Sequence, residues 1–346
     1  MTFEEAITAS EAYATRNLLL GNGFSIACRP DIFTYHSLFE QTDFTATPEL
    51  AALFASLDSR DFELVIRTLN NAERVLEVYE PTGQTLISVR EHQLALRELL
   101  IRTISENHPA NPGDITEDEY RSCRQFLTHF LGYGTQGKVF SVNYDLLLYW
   151  TVLHTLEDAP ALPCRKTDGF GLTDGNLFWT GTQSARPACI YYPHGALHMF
   201  DTGTSITKLS PRRDGGPIVD QCRQHLEDGH FPMFVAEGTS LQKQTKISHN
   251  PFLFHAKEQL QQAGQEADSC FFVYGHSLDA NDDHLLKAIS KGNCGAIFIS
   301  LYGDENSDVN TAIRERAHGW AAIRDAAFPL NVHFFDAESA HVWNAP

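Results

Sequence analysis

Apolar residues follow two rhythms along this chain. Short unbroken runs, several rich in β-branched or aromatic residues, alternate with longer stretches in which apolar positions recur every three or four residues. The first rhythm signals buried strands and the second amphipathic helices. A helix is predicted from Phe3 to Arg16, with Phe3, Ala6, Ile7 and Ala14 on one face, and a strand from Asn17 to Leu20. Phe24 to Phe39 reads as a loop or short helix rich in aromatic residues. Later strands are expected at Lys138–Val142, Ala188–Tyr192, Pro232–Ala236, Ser269–Tyr274, Ala296–Tyr302 and Val332–Phe335. Helices are expected from Leu146 to Leu153, Ile218 to Leu226, Asn250 to Ala263 and Thr311 to Asp325. Ala159 to Pro187 reads as irregular structure or a hairpin, and Ala196 to Leu209 as a β-hairpin turned by Asp201-Thr-Gly203.

From about residue 46 to 134 no strand-like run occurs. Thr47-Pro48 forms an N-cap followed by proline at the first helical position. Ser59–Tyr79 and Thr85–Ser105 are periodic, and Thr116 with Glu119 makes a capping box for a fourth helix reaching about Leu131. The expected organisation is therefore a domain built from residues 1–30 and 135–346, with residues 31–134 inserted after the first strand as a helical module. Strands alternating with helices predict an α/β fold with a doubly wound, mostly parallel sheet.

The endings of the strands carry the chemistry. Five finish in small or polar residues: Gly21-Asn-Gly23, Asn143-Tyr-Asp145, Pro193-His-Gly195, Glu237-Gly-Thr239 and Gly275-His-Ser277. In a parallel sheet such ends share one edge, which is where ligands bind. Gly21 and Gly23 supply part of a dinucleotide-binding fingerprint without its third glycine, and an ordinary tight strand-to-helix turn accounts for that stretch about as well. Asn143 and Asp145 also fit plain turn and helix-cap chemistry. Of 16 histidines, His194, between Pro193 and Gly195 at a strand end, has the best context for acid–base work. His198, His276 and His284 have less.

Composition narrows the classes. A formal net charge of −18 repels phosphate backbones and anionic membranes, so neither nucleic acid nor a membrane surface is an expected partner. The densest basic pair is Arg212-Arg213. The seven cysteines include no CxxC pair, which fits reduced thiols in a cytoplasmic protein. The first residues lack the basic and apolar regions of a secretory signal, and no apolar run approaches the length of a membrane helix. No HExxH and no His/Cys set at ligand spacing occurs, so no metal is expected.

In their order, these motifs resemble the sirtuin family, and most closely its bacterial NAD-hydrolysing branch found in antiphage defence. Gly21-Asn22-Gly23-Phe24-Ser25 resembles its Gly-Ala-Gly-x-Ser phosphate loop, Asn143-Tyr144-Asp145 its Asn-x-Asp element, Pro193-His194-Gly195 its His-Gly element, and Gly275-His276-Ser277 its late Gly-x-Ser element. The four-cysteine zinc module of the deacylases is missing between the last two: that interval holds only Cys222 and Cys270. Val142 stands where deacylases usually carry Gln, and Asn22 where they carry Ala.

The resemblance implies a Rossmann-like NAD site and, without zinc, cleavage of NAD to nicotinamide and ADP-ribose. It implies that Asn143 positions the ribose or water, Asp145 contacts the nicotinamide carboxamide, and His194 is the general base. Gly21, Asn22, Gly23, Phe24 and Ser25 would hold the pyrophosphate. Gly275, Ser277 and Asp282 would face the adenosine half, and Phe33 would cover the nicotinamide. The helical module would gate the site or mediate assembly with a second copy or a regulatory protein. The same residues also admit a zinc-free NAD-dependent deacylase or a module that senses NAD or ADP-ribose without turnover.

Overall fold

A computed structural model describes residues 1–132, 134–154, 167–181, 187–211, 216–236 and 239–344. Cys164, one of the seven cysteines, and Arg212, Arg213, Glu237 and Gly238, named above, lie outside the described residues. The strands are β1 (Thr15–Leu20), β2 (Val139–Ser141), β3 (Phe170–Thr173), β4 (Asn176–Trp179), β5 (Ile190–Tyr191), β6 (Met199–Asp201), β7 (Ile206–Lys208), β8 (Ser269–Tyr274), β9 (Ala296–Leu301) and β10 (Asn331–Asp336). The helices are α1 (Phe3–Ser10), α2 (Gly23–Cys28), α3 (Pro30–Phe33), α4 (Tyr35–Gln41), α5 (Pro48–Ser56), α6 (Phe62–Tyr79), α7 (Gln84–Asn107), α8 (Glu117–Leu131), α9 (Leu147–Leu153), α10 (Ile218–Glu227), α11 (Ser240–Ser248), α12 (Pro251–Gln265), α13 (Asp283–Ser290) and α14 (Asp308–Ala322).

Six strands form one parallel sheet in the order β10-β9-β8-β1-β2-β5. The chain starts in the middle at β1, moves outward to β2 and β5, then returns to β8 on the other side of β1. Leu18 pairs with Val139 on one flank and with Phe272 on the other. That position explains why Leu18, Leu19 and Leu20 are all apolar: a central strand of a parallel sheet is covered on both faces. Phe3 of α1 and Phe130 of α8 pack on Phe272 from one face. On the opposite face Phe140 stacks against Tyr191, and His255 of α12 reaches the same tyrosine.

A second, antiparallel sheet follows the order β3-β4-β7-β6. The β3–β4 hairpin turns through Asp174 and Gly175, both at positive φ, as a two-residue primed turn demands. The expected hairpin over 196–209 is present as β6–β7.

Several helices start at side-chain caps, although Thr47, at the N-cap position of α5, makes no side-chain cap hydrogen bond. Thr116 and Glu119 form the expected capping box of α8, and Asp61 accepts the Glu63 and Leu64 amides at the head of α6. Helix α1 ends at Ser10, because Thr15 and Arg16 are drawn into β1 by pairing with Ser269 and Cys270. One expected strand is absent. Pro232–Ala236 makes only an isolated antiparallel bridge, Phe234 to Gly195. The run is apolar because it is buried, but its amides go elsewhere: Met233 donates to Met199 O and Val235 to His194 O. The buried core is continuous from Phe54 and Ile66 to Phe272 and Ile299. The six described cysteines are all buried free thiols. Among the described residues no helix is long and apolar enough to cross a membrane.

Candidate functional site

The ends of β1 and β8 meet at the carboxyl edge of the sheet, where the strand order reverses direction. Gly21 N–H donates to Tyr274 O at 2.9 Å and Gly23 N–H to Gly275 O at 2.8 Å. The two loops touch backbone to backbone. A Cβ on Gly23 would come within 2.5 Å of Gly275 Cα, and one on Gly21 within 2.6 Å of Gly275 O. Gly275 itself sits at φ +68°. Glycine is required at this corner because nothing larger fits between the loops.

That contact corrects the expected phosphate loop. Gly23 has already donated its amide, Phe24 N–H goes to Gly21 O, and Ser25 N–H to Asn22 O. Phe24 and Ser25 are wholly buried, Phe24 against Trp343 with ring centroids 5.0 Å apart. Asn22 and Gly23 border the cavity described below; Gly21, Phe24 and Ser25 stand behind them.

Asn143, at the end of β2, locks this corner. Its Nδ2 donates to Gly21 O and to Ser25 Oγ, each at 2.9 Å. A carbonyl only accepts, so the side-chain amide must present its NH2 to this frame, and the residue borders the cavity. The Ser25 hydroxyl in turn donates a hydrogen bond to Asp145 Oδ2. The other oxygen of Asp145 accepts Leu147 N–H at 2.9 Å, at the start of α9. Both oxygens of Asp145 thus hold the frame, while the residue also borders the cavity. Burial pushes its carboxyl up, and the Ser25 and Leu147 hydrogen bonds pull it back. Behind the frame, His108 accepts Leu146 N–H on Nε2 at 2.9 Å and pairs its Nδ1 with Pro109 O.

His194 follows β5 on the far side of the cavity. Its Nε2 lies 2.9 Å from Nε2 of His284 and 3.7 Å from Asp282 Oδ1. Burial pushes its imidazole well below the ordinary value, so the ring is neutral. Its Nδ1 has no hydrogen bond to a described residue, and the residue borders the cavity. Asp282, expected at the adenosine half, belongs instead to this cluster. Its Oδ2 takes a contact of 3.1 Å from His276 Nε2 and its Oδ1 one of 3.0 Å from Lys243 Nζ. The same ammonium reaches Glu63 Oε2 at 3.0 Å. The Lys243 side chain is fully buried. Burial opposes its charge, but Glu63 and Asp282 together hold its pKa above the usual lysine value. Burial raises the Glu63 carboxyl to about 7 against the pull of Lys243. For Asp282, Lys243 and His276 outweigh burial and keep the carboxyl ionised.

These groups surround one cavity of about 1070 Å³. Asn22, Gly23, Asn143, Asp145, His194 and Asp282 border it, as do Gly275 and Ser277. Phe33 lines it too, with its carbonyl accepting from Asn22 Nδ2 at 3.0 Å. Glu63 and Arg67 bring the head of α6 into the wall, and residues from Ala337 to Asn344 close another side, anchored by Trp343 Nε1–H donating to Phe24 O. Sequence reading missed Glu63 and Lys243 and gave His284 less weight than His194. Lys243 stands on a mostly polar helix and carries no sign of burial in its neighbours; only the tertiary fold reveals it. Chemically, the arrangement offers a fixed side-chain amide and a neutral imidazole on the walls of a cavity roomy enough for a large organic ligand.

A family model described as "Domain of unknown function (DUF4917)" matches residues 18–343. No curated protein matches the chain. The family match covers both loops of the glycine corner, Asn143, His194 and the Asp282 cluster, and the chain belongs to that family.

Proposed function

We propose that this member of the DUF4917 family is an NAD glycohydrolase that yields nicotinamide and ADP-ribose, with NAD depletion as its effect in a cell. The observation that carries the reading is that Asn143 and His194, 51 positions apart in sequence, border one cavity at the carboxyl edge of a parallel sheet. The strand order supports it. Counted along the chain, the parallel strands run 3-2-1-4-5-6, the doubly wound Rossmann order, and such folds take dinucleotides at the reversal point. The cavity spans that point.

In this mechanism the N-glycosidic bond breaks with its electron pair leaving on the nicotinamide nitrogen, so the cationic ring departs neutral and needs no acid. Asn143 Oδ1 accepts a hydrogen bond from the ribose or from the incoming water and holds it in line. Water attacks the anomeric carbon, and His194 Nδ1 takes the proton. Asp282, 3.7 Å from the opposite ring nitrogen, stabilises the imidazolium that forms. Pyrophosphate would pass along Asn22 and Gly23, and Ser277 would face the adenosine half.

The test is incubation with NAD, with and without an acylated peptide, reading nicotinamide and ADP-ribose by mass spectrometry. Asn143→Ala and His194→Ala should each lower turnover about 100-fold or more while circular dichroism stays unchanged. Turnover that persists in both folded variants would remove the mechanism, and NAD consumption only with the peptide would make the protein a deacylase.

A further inference from the structure

The cluster around His194 holds more than a base. His194 Nε2, His284 Nε2 and a carboxylate oxygen of Asp282 all lie within 4.8 Å of one another. We propose that these three side chains form a binding site for a divalent transition metal of the zinc or cobalt class.

Several observations carry this. Two imidazole nitrogens meet tip to tip at 2.9 Å. That is the distance of a ring-to-ring hydrogen bond; tetrahedral ligand nitrogens about 2.0–2.1 Å from one ion stand about 3.3–3.4 Å apart, so the two rings part by roughly 0.4–0.5 Å and turn toward a common point to share a metal. Asp282 Oδ1 at 3.7 Å from His194 Nε2 supplies a third donor on the same side. Two imidazoles and a carboxylate favour zinc, cobalt or nickel over magnesium or calcium, which prefer all-oxygen sites.

The donors are also held from behind. Asp282 Oδ2 is fixed by His276 at 3.1 Å, and His284 Nδ1 lies 3.4 Å from Ser240 Oγ, so the other face of each ligand is oriented in the manner of metal-site outer partners. The competing cation is Lys243, 3.0 Å from Asp282 Oδ1. It has a second carboxylate, Glu63, at the same distance, and keeps that partner when an ion takes Asp282. Two carboxylates facing one ammonium leave the locality able to accept positive charge. His194 and Asp282 border the cavity, which gives the ion an entry path and open positions for water.

No sequence spacing signals the site, because His194 comes from the end of β5 while Asp282 and His284 flank the start of α13. The site itself stands independently of the hydrolase reading; its effect on catalysis rests on that reading. A neutral imidazole bound to metal through Nε2 carries its proton on Nδ1. A bound ion therefore removes the base from His194, and the metal acts as a reversible inhibitor of NAD cleavage.

The experiment uses untagged, EDTA-treated full-length protein titrated with Co²⁺. The expected result is one ion per chain with visible d–d absorption, and a loss of affinity of about tenfold or more in both His284→Gln and Asp282→Asn. Cobalt-edge X-ray absorption on the wild-type protein should report two imidazole ligands, a readout that needs no variant. Absence of binding, fewer than two imidazoles, or affinity unchanged in both folded variants would overturn the site. Co²⁺ binding lost in the variants, in a protein that leaves NAD intact, would support the site and reject the hydrolase. NAD cleavage undiminished in the metal-loaded protein would overturn the inhibitory role.

Discussion

The two walls of the cavity are built on opposite principles. On the β1–β2 side every group is neutral or satisfied in a closed circuit: Gly21 O, Asn143, Ser25, Asp145 and the Leu147 amide each have a partner. On the β5–α13 side charge is concentrated around one fully buried ammonium shared by two carboxylates. The first wall sets position and the second sets electrostatics. The difference teaches that a positioning frame can be made from glycine contacts and amide hydrogen bonds, whose cost of disruption is local. A charged wall depends on mutual compensation, so removing one member exposes the rest.

The largest expected effect breaks the charged wall. Lys243→Met leaves Glu63 and Asp282 buried without their cation and should destabilise the fold by about 3–5 kcal/mol, read as a drop in urea midpoint. Adding Glu63→Gln to it should recover part of that loss.

On the neutral wall the matching test is pH. Burial lowers the His108 imidazole from 6.5 to about 4. The unfolded chain then takes up a proton that the folded one refuses, so this residue's stabilising contribution is whole above pH 6.5 and is lost as pH falls toward 4. The loss amounts to about 3 kcal/mol. The comparison to measure is the slope of Tm against pH in wild type and in His108→Gln, which should be flatter between pH 6.5 and 4.

Gly23→Ala forces a methyl within 2.5 Å of Gly275 Cα and should cost about 1–3 kcal/mol, visible by thermal denaturation. Smallest is Ser25→Ala, about 1 kcal/mol in stability. Its sharper readout is turnover: Asn143 loses one of its two anchors, so NAD cleavage should fall by more than the stability change suggests.

What the sequence revealed of this site follows from where its residues lie. Asn143, His194 and Ser277 were legible because each ends an apolar run, and in a parallel sheet such ends converge on one edge. Gly21 and Gly23 were legible as a tight turn but not in their purpose, since the surface they touch, Gly275, is remote in sequence. Ser25 was assigned to a ligand because a serine after glycines suggests one; its hydroxyl turns inward to Asp145 instead. Asp282 was placed with the adenosine half through the family resemblance, yet the turn through Leu278, at φ +58°, carries the chain round to His194. Pro232–Ala236 had the composition of a strand without a neighbour to pair with. Glu63 and Lys243 were beyond reach, because their burial is made by helices from different parts of the chain.

The pairing of β1 with β8 also sets a schedule. Ala14 donates its amide to a side chain 254 residues later, and the cavity's last wall is held by Trp343 on Phe24. A ribosome adding roughly 5–20 residues per second needs about 12–50 s to span that gap. During synthesis the Leu18–Leu20 strand waits with one edge unpaired, a segment for a chaperone to shield. The pocket comes into being only when the chain has been made past Trp343, so a shorter nascent chain lacks that wall of the cavity.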